Sequence, residues 1–312
     1  MQTQAANLIV VLGPTASGKT HLGVELARRY KGEVLSADSR QVYKGLDIGS
    51  GKDLDEYQEI PYHLIDIVEP DTEYSVFHFQ RDFFAAYQQI KQANKLPIMV
   101  GGTGLYIDAV TQNYQLHEAP VNKALRDELA ALSLEQLQQR LLALKPEQHN
   151  STDLTVRPRL VRAIEIAESD KTAEPKSQPK HPRINPLYIG IRWERSVLRK
   201  RITLRLKQRL EEGLIEEVQN LHRDGVSYSK LEFYGLEYRL VAQHLQEQLS
   251  YNDMFQKLNS QIHQFAKRQD TWFRKMERRG DTIHWLDPQQ SLIEQAANLV
   301  EPQLESLSAE LP

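Results

Sequence analysis

The chain has 312 residues, 40% hydrophobic and 26% charged, which is the usage of an ordinary globular protein and not of a disordered, fibrous or disulfide-knit one. It has no cysteine, which excludes disulfides, thiolate nucleophiles and cysteine-based zinc sites, and no apolar run of about 18 residues, the length a membrane-spanning helix needs. The net charge of −3 hides a segregation: Arg192 to Arg209 holds eight basic residues against the single acid Glu194, and a second basic cluster runs from Lys267 to Arg279. Such segments are either solvated helix faces or a positive surface for a polyanion. Met1 to Asn7 is polar and uncharged, and the apolar run after it is too short for a signal sequence. A cytoplasmic protein without a membrane partner is the expectation.

The first third alternates strand and helix. Leu8 to Leu12 is a short apolar run that ends in glycine, the pattern of a buried strand. A helix is expected over Lys19–Tyr30, a second strand over Glu33–Asp38, a third over Tyr62–Val68, a helix over Phe77–Ala93 and a fourth strand over Leu96–Val100. Strands separated by helices imply a parallel sheet covered on both faces. From about Asn113 the strand signal stops. Lys123–Leu144 has leucines at helical spacing, Leu154–Ala167 is a further helix, and Ser169–Asn185 reads as a loop rich in Lys, Pro, Ser and Thr. The sheet resumes at Pro186–Ile191. On the helix that follows, Leu198, Ile202, Leu206 and Leu210 recur every four residues as a core stripe, and Arg201, Arg205 and Arg209 recur at the same spacing on another face. More helix is expected through Phe265–Met276 and a last strand over Thr282–Leu286. The expected organisation is a core from 1–112 and 185–312, interrupted by a mainly helical insertion, 113–184.

Gly13-Pro-Thr-Ala-Ser-Gly-Lys-Thr20 matches G-x-x-x-x-G-K-[ST], after a strand and before a helix, the context a phosphate-binding loop needs. Its glycines let backbone N–H groups wrap a phosphate, and the helix N-terminus adds partial positive charge. Gly13, Thr15, Ala16, Ser17, Gly18, Lys19 and Thr20 are the candidate diphosphate-binding residues. Lys19 supplies a cation and Thr20 a hydroxyl for Mg²⁺, the one cofactor the motif implies. The loop does not say what carries the phosphates.

In open α/β sheets ligands sit beyond the carboxyl ends of the strands. Two further such ends carry unusual residues: Asp38-Ser-Arg-Gln-Val-Tyr43 after the second strand, and Gly101-Gly-Thr-Gly-Leu-Tyr106 after the fourth. Taken singly, Asp38 reads equally as a turn cap and Gly101–Gly104 as a tight turn.

With these residues the chain resembles the tRNA dimethylallyltransferases, or tRNA isopentenyltransferases. That family shows a GPTASGKT loop, here Gly13–Thr20; a D-S-x-Q-x-Y segment, here Asp38–Tyr43; an I-G-T-A-K element, here Ile48–Lys52; H-L-I-D, here His63–Asp66; G-G-T-G-L-Y, here Gly101–Tyr106; an R-I pair, here Arg201-Ile202; and R-Q-x-T-W, here Arg268–Trp272. The matches run in order over nearly the whole chain. There are departures. Asp53 follows Lys52 where the family has proline, Glu237 precedes Tyr238-Arg239 where glycine is usual, and the family's Q-R-x-x-R-A begins here with Pro158. The last two fall where the family touches tRNA, which makes altered RNA specificity an expectation.

The resemblance implies a P-loop NTPase-like fold with a helical insertion. The implied reaction moves a dimethylallyl group from dimethylallyl diphosphate to N6 of adenosine 37, beside the anticodon of tRNA, and releases diphosphate. Asp38 is then the acceptor for the amine proton, and Lys19, Thr103 and Arg201 with Mg²⁺ stabilise the leaving diphosphate. Asp38, Ser39, Arg40, Gln41, Arg159, Arg162, Tyr238 and Arg239 are the implied contacts to the tRNA anticodon stem-loop, with Arg192–Arg209 on the phosphodiester backbone. Tyr43 and Tyr106 read as base stackers, prenyl-channel walls or core, and Trp272 and His63 as structural. A monomer is expected. The alternatives from the residues alone are an ATP-using small-molecule kinase with 113–184 as its lid, a prenyltransferase of free adenine nucleotides, and a non-catalytic RNA-binding protein.

Overall fold

A computed structural model of the chain describes residues 5–116, 118–146, 154–172 and 181–309. Six parallel strands form one sheet: β1 (Leu8–Leu12), β2 (Gly32–Ala37), β3 (Tyr62–His63), β4 (Leu96–Gly101), β5 (Pro186–Ile191) and β6 (Ile283–Leu286), in the order β3-β2-β4-β1-β5-β6. The chain leaves β1 toward one edge and returns at β5 toward the other. The carboxyl end of β1 is therefore the switch point where such sheets place their ligands.

Alternation along β1 divides the core. Leu8, Val10 and Leu12 face a cluster with Phe79 and Phe83 of α2 (Val76–Gln92) and Tyr106 of α3 (Gly104–Thr111). Ile9 and Val11 face the opposite cluster, with Leu22 and Leu26 of α1 (Lys19–Tyr30). Strand residues of period two bury both faces because both carry helices.

The expected third strand is shortened. β3 covers only Tyr62–His63, because Leu64 and Asp66 take left-handed backbone (φ 67° and 55°), which no strand tolerates. The buried Lys52 ammonium binds the Asp66 carboxylate and donates to the Tyr43 carbonyl, and so fixes this bend.

The described chain divides into two compact units, one running to Tyr114 and resuming at Pro182, the other from Gln115 to His181. The second contains α4 (Lys123–Ala130), α5 (Leu134–Leu144) and α6 (Arg157–Thr172). The leucines at helical spacing over Lys123–Leu144 fall on two helices, separated at Ser133, whose side chain and Gln136 form a capping box that starts α5. Pro158 lies in the first turn of α6, where its missing N–H costs no helical bond. That helix continues through Ser169–Thr172, part of the stretch expected as loop; 173–180, the middle of that stretch, lie outside the described residues. Leu129, Leu137, Leu141, Leu160 and Ile164 form this unit's own core.

In the first unit, α7 (Arg195–Glu211), α8 (Leu214–Arg223), α9 (Tyr228–Phe233), α10 (Leu236–Leu245) and α11 (Tyr251–Arg279) follow β5, and α12 (Leu292–Ala309) follows β6. The 29-residue α11 serves two cores. Met254, Leu258, Ile262 and Ala266 pack with Ile202 and Leu206 of α7, whereas Phe273 and Met276 pack under the sheet.

Candidate active site

The loop from β1 to α1 carries two left-handed residues, Ala16 at φ 62° and Gly18 at φ 92°, and Gly18 is the N-cap of α1. No side chain caps this helix and its first turn has no acid, so its N-terminal N–H groups and dipole are left for an anion. The Lys19 ammonium, the first residue of the helix, makes no hydrogen bond to any described residue. Burial and the nearby Arg205 push its pKa down to about 8, against the opposing pull of Asp38 and Asp53. Ser17 Oγ is buried without a hydrogen-bond partner.

Two neighbouring strand ends reach the loop. Asp38 follows β2, and its Oδ1 accepts the Arg40 N–H at 2.8 Å; its other oxygen takes no hydrogen bond from a described residue. Thr103 follows β4. Its N–H donates to the Ala37 carbonyl and its Oγ1 accepts the Ser39 N–H, both at 3.3 Å, which joins the two strand ends. Asp38 caps a turn, as read, whereas Gly101–Gly104 is the passage from the end of β4 to the start of α3, and the Ser39–Thr103 bond joins the two strand ends.

Three side chains lock the loop: Gln269 and Trp193, which sequence reasoning missed, and the expected Arg201. Gln269 of α11, buried, accepts the Thr15 N–H on Oε1 at 2.9 Å and donates from Nε2 to the Gly102 carbonyl at 3.0 Å. Trp193 donates from Nε1 to the Ser17 carbonyl at 2.9 Å. Arg201 donates from Nε to the Ala16 carbonyl at 2.9 Å, stacks on Trp193 at 4.4 Å, and has Nη2 at 4.0 Å from where a Cβ on Gly18 would stand. The R-Q-x-T-W segment was the one sequence signal for Gln269; Trp193 had none.

The arginine stripe on α7 turns inward, unlike a backbone-gripping surface. Arg205 pairs with Asp53, and Arg209 is buried beside Glu237 at 3.7 Å. The exposed basic residues of this helix are Arg195, Arg199, Lys200 and Lys207. Several expected RNA contacts are likewise committed to the fold. Gln41 is buried, with Oε1 accepting from Ser36 at 2.7 Å and Nε2 donating to the Gly51 carbonyl at 2.9 Å. Tyr238 is buried, with its hydroxyl donating to Glu217 at 2.8 Å and accepting the Ser50 N–H at 3.1 Å. Arg239 donates to Gln261. Tyr106 stacks on Phe79 at 3.9 Å, Tyr43 packs on Tyr234 at 4.8 Å, and His63 pairs with Glu33 at 2.7 Å. Trp272 donates to Asp108 at 3.0 Å. Ser39 and Arg40 remain part-exposed beside Asp38. In the second unit Arg162 binds Glu165 at 3.0 Å and the Ala119 carbonyl at 2.7 Å, whereas Arg159 is exposed on α6.

A glycine-bearing loop after the central strand, an uncapped helix N-terminus, and an aspartate and threonine after the next two strands place the candidate site of this α/β protein at the carboxyl ends of its strands. The family model described as IPP transferase matches residues 41–276, and that described as isopentenyl transferase matches 6–60. A curated relative, tRNA dimethylallyltransferase 2 of Syntrophotalea carbinolica, is 63% identical over 281 residues, 90% of this chain and 94% of that one. tRNA dimethylallyltransferase 1 of Geotalea uraniireducens is 60% identical over 91% and 93%. The crystal structure of a full-length tRNA isopentenylpyrophosphate transferase from Bacillus halodurans aligns over 98% of this chain and 99% of its own, with a TM-score of 0.69 and 31% identity. The chain belongs to the IPP transferase family of tRNA dimethylallyltransferases.

Proposed function

We propose that this chain transfers a dimethylallyl group from dimethylallyl diphosphate to N6 of adenosine 37 in tRNA and releases diphosphate. The observation that carries the proposal is the tie of the Asp38–Ser39 segment to Thr103, with Asp38 near enough to act on Lys19, Arg201 held on the Ala16 carbonyl and α1 left uncapped. The relatives' names support tRNA as the acceptor. A small-molecule kinase is not favoured, since the named relatives are transferases of a prenyl group.

In this reading the donor's diphosphate lies on the N–H groups of Gly18, Lys19 and Thr20, since those of Thr15 and Ser17 are engaged by Gln269 and the Pro14 carbonyl. As the allylic C–O bond breaks, negative charge grows on the bridging oxygen. Lys19, Arg201 and the Thr103 hydroxyl oppose it with donors already in place. The exocyclic amine of adenine is a weak nucleophile, and its proton becomes acidic only as the C–N bond forms. The oxygen of Asp38 that no described residue engages orients that amine and accepts the proton. The target base must leave its stack to enter, which single-stranded RNA loops permit at low cost. Arg159 on the second unit is a candidate stem-loop contact.

The residues fit Mg²⁺ as a partner of the substrate. No group of three or more acidic or histidine side chains stands ready for a metal among the described residues. Thr20 and the unpartnered Ser17 Oγ offer hydroxyls at the loop, and Mg²⁺ commonly completes its shell with phosphate oxygens and water. When bound it would supply charge neutralisation to the diphosphate.

The test is incubation with dimethylallyl diphosphate and an unmodified tRNA stem-loop. The expected products are inorganic diphosphate and an RNA heavier by one five-carbon unit at N6 of the target adenine. ADP formed from ATP, or diphosphate released equally without RNA, would sink the proposal.

A further inference from the structure

The far end of the α7 arginine stripe has no part in the reaction as described above. Arg209 is 8% exposed, and its Nε has no hydrogen-bond partner. Its closest polar contacts are the Gly49 carbonyl at 3.5 Å and Glu237 at 3.7 Å. Both are well beyond the roughly 2.7–2.9 Å of a formed charge-assisted bond. Arg205, one helical turn earlier, pairs with Asp53. The two guanidinium groups converge over Gly51, where a Cβ would stand 1.7 Å from Arg209 Nη2 and 3.0 Å from Arg205 Nη2. Gly51 also takes left-handed φ, +64°. The backbone is thus shaped to admit two cations side by side.

Two like charges side by side, one buried and one part-exposed, are unfavourable unless something of opposite sign shares the site. Asp53 serves Arg205, and Glu237 lies too far from Arg209 to satisfy it. Burial also holds the Glu237 carboxyl above its ordinary value. Burial, and after it Arg209, lower Arg205, and both arginines act on Lys19 in the same direction. Asp53, Glu56 and Glu237 pull Arg205 the other way, and Asp38 and Asp53 do the same for Lys19, so what stays unmet on this side is the buried Arg209 Nε.

We propose that Arg205 and Arg209, over Gly51, form a second anion subsite beside the phosphate loop, shaped for one phosphate group. The subsite rests on the reading of the chain as a diphosphate-releasing prenyltransferase. Two sources carry this chemistry: the distal phosphate of the donor, and a phosphodiester of the acceptor RNA. A phosphate bridging the two guanidiniums would give Arg209 the bidentate partner it lacks.

The experiment titrates inorganic diphosphate and an unmodified RNA stem-loop separately into the full chain by calorimetry. The variants are Arg209→Met combined with Glu237→Leu, which leaves no lone buried charge, and Arg209→Lys, which keeps the charge and removes the fork. Thermal melting verifies that each is folded. The subsite predicts at least a 10-fold loss of affinity for one ligand in the double variant, and several-fold in Arg209→Lys, with the other ligand within about twofold. Loss of diphosphate binding assigns the donor, and loss of stem-loop binding assigns the acceptor. Unchanged affinity for both ligands in either folded variant would overturn the subsite and leave Arg209 a tie between α7 and the 49–51 loop. Wild-type protein that binds neither ligand would overturn the prenyltransferase reading itself.

Discussion

Replacing Gln269 with leucine isolates the clamp between the two substrate-facing loops. Leucine nearly matches the volume, so the cavity term is small and the cost is polar. The bond to the Gly102 carbonyl is buried at 3.0 Å, and losing it strands a buried acceptor, worth about 1–3 kcal/mol. The bond from Thr15 N–H is only part-buried at 2.9 Å, so water replaces part of it and about 1 kcal/mol is lost. The sum is about 2–4 kcal/mol, a large share of the roughly 5–15 kcal/mol that holds a protein folded. Urea unfolding followed by circular dichroism measures it. The Thr15 amide belongs to the loop that wraps the diphosphate, so kcat/KM for the donor should also fall, by about 10-fold or more, in the fraction that stays folded. Gly102→Ala breaks the same bridge from the other side, because its Cβ would stand 2.3 Å from Gln269 Nε2. The two substitutions together should therefore cost less than the sum of each alone. A Gln269→Leu protein within about 0.5 kcal/mol of wild type with unchanged donor kinetics would show that the clamp holds nothing.

Asp38→Ala should lower kcat by at least about 100-fold with tRNA affinity retained; unchanged turnover in single-turnover assays would remove Asp38 from its role. The Lys19 pKa, pushed down to about 8 chiefly by burial, predicts that kcat/KM for the donor falls as pH rises through about 8, and a flat profile across that range would contradict it. The stability linkage has the opposite slope: the unfolded chain keeps this proton to about 10.5, so the penalty of burying the ammonium is complete below about 8 and relieved as pH rises toward 10.5. Arg159→Ala should weaken stem-loop binding without lowering the melting temperature. Arg162→Ala should instead destabilise the second unit, since it leaves the buried Glu165 with one arginine fewer; equal melting temperatures would refute the distinction.

What was legible in the sequence is what is local. The phosphate loop, the strands beside it and the helix after it are specified within a few residues by glycine placement and apolar runs, and they stand where expected. Tyr62–Val68 holds as a strand only at Tyr62–His63, because the bend at Leu64 and Asp66 is set by Lys52, at least ten residues upstream. Gln269 and Trp193 reach the loop across 254 and 176 residues of sequence, a distance at which spacing carries no signal. Periodicity placed Arg201, Arg205 and Arg209 on one face of a helix. It could not say which side that face meets, because a charged stripe lining a buried anion pocket and one facing solvent have the same period.

The departures from the family pattern find a physical reading in that pocket. Asp53 stands where the family has proline and pairs with Arg205. Glu237 stands where the family has glycine and lies against Arg209. Each unusual acid thus stands beside one arginine of the same helix, Asp53 in a formed pair and Glu237 at a longer 3.7 Å. The expectation that Glu237 marks altered RNA contact gives way to a buried electrostatic role, beside a Tyr238 that is itself buried against Glu217. The consequence is asymmetric. Removing Asp53 takes from Arg205 its partner, and removing Glu237 takes from the buried Arg209 the pull of a carboxylate 3.7 Å away, whereas removing acid and arginine together restores neutrality, so paired replacements should be better tolerated than single ones. Asp53→Ala and Glu237→Ala should therefore each lower the melting temperature more than Arg205→Met with Asp53→Ala, or Arg209→Met with Glu237→Ala. Equal losses would mean that the acids and arginines hold the fold independently, and that their adjacency carries no energetic coupling.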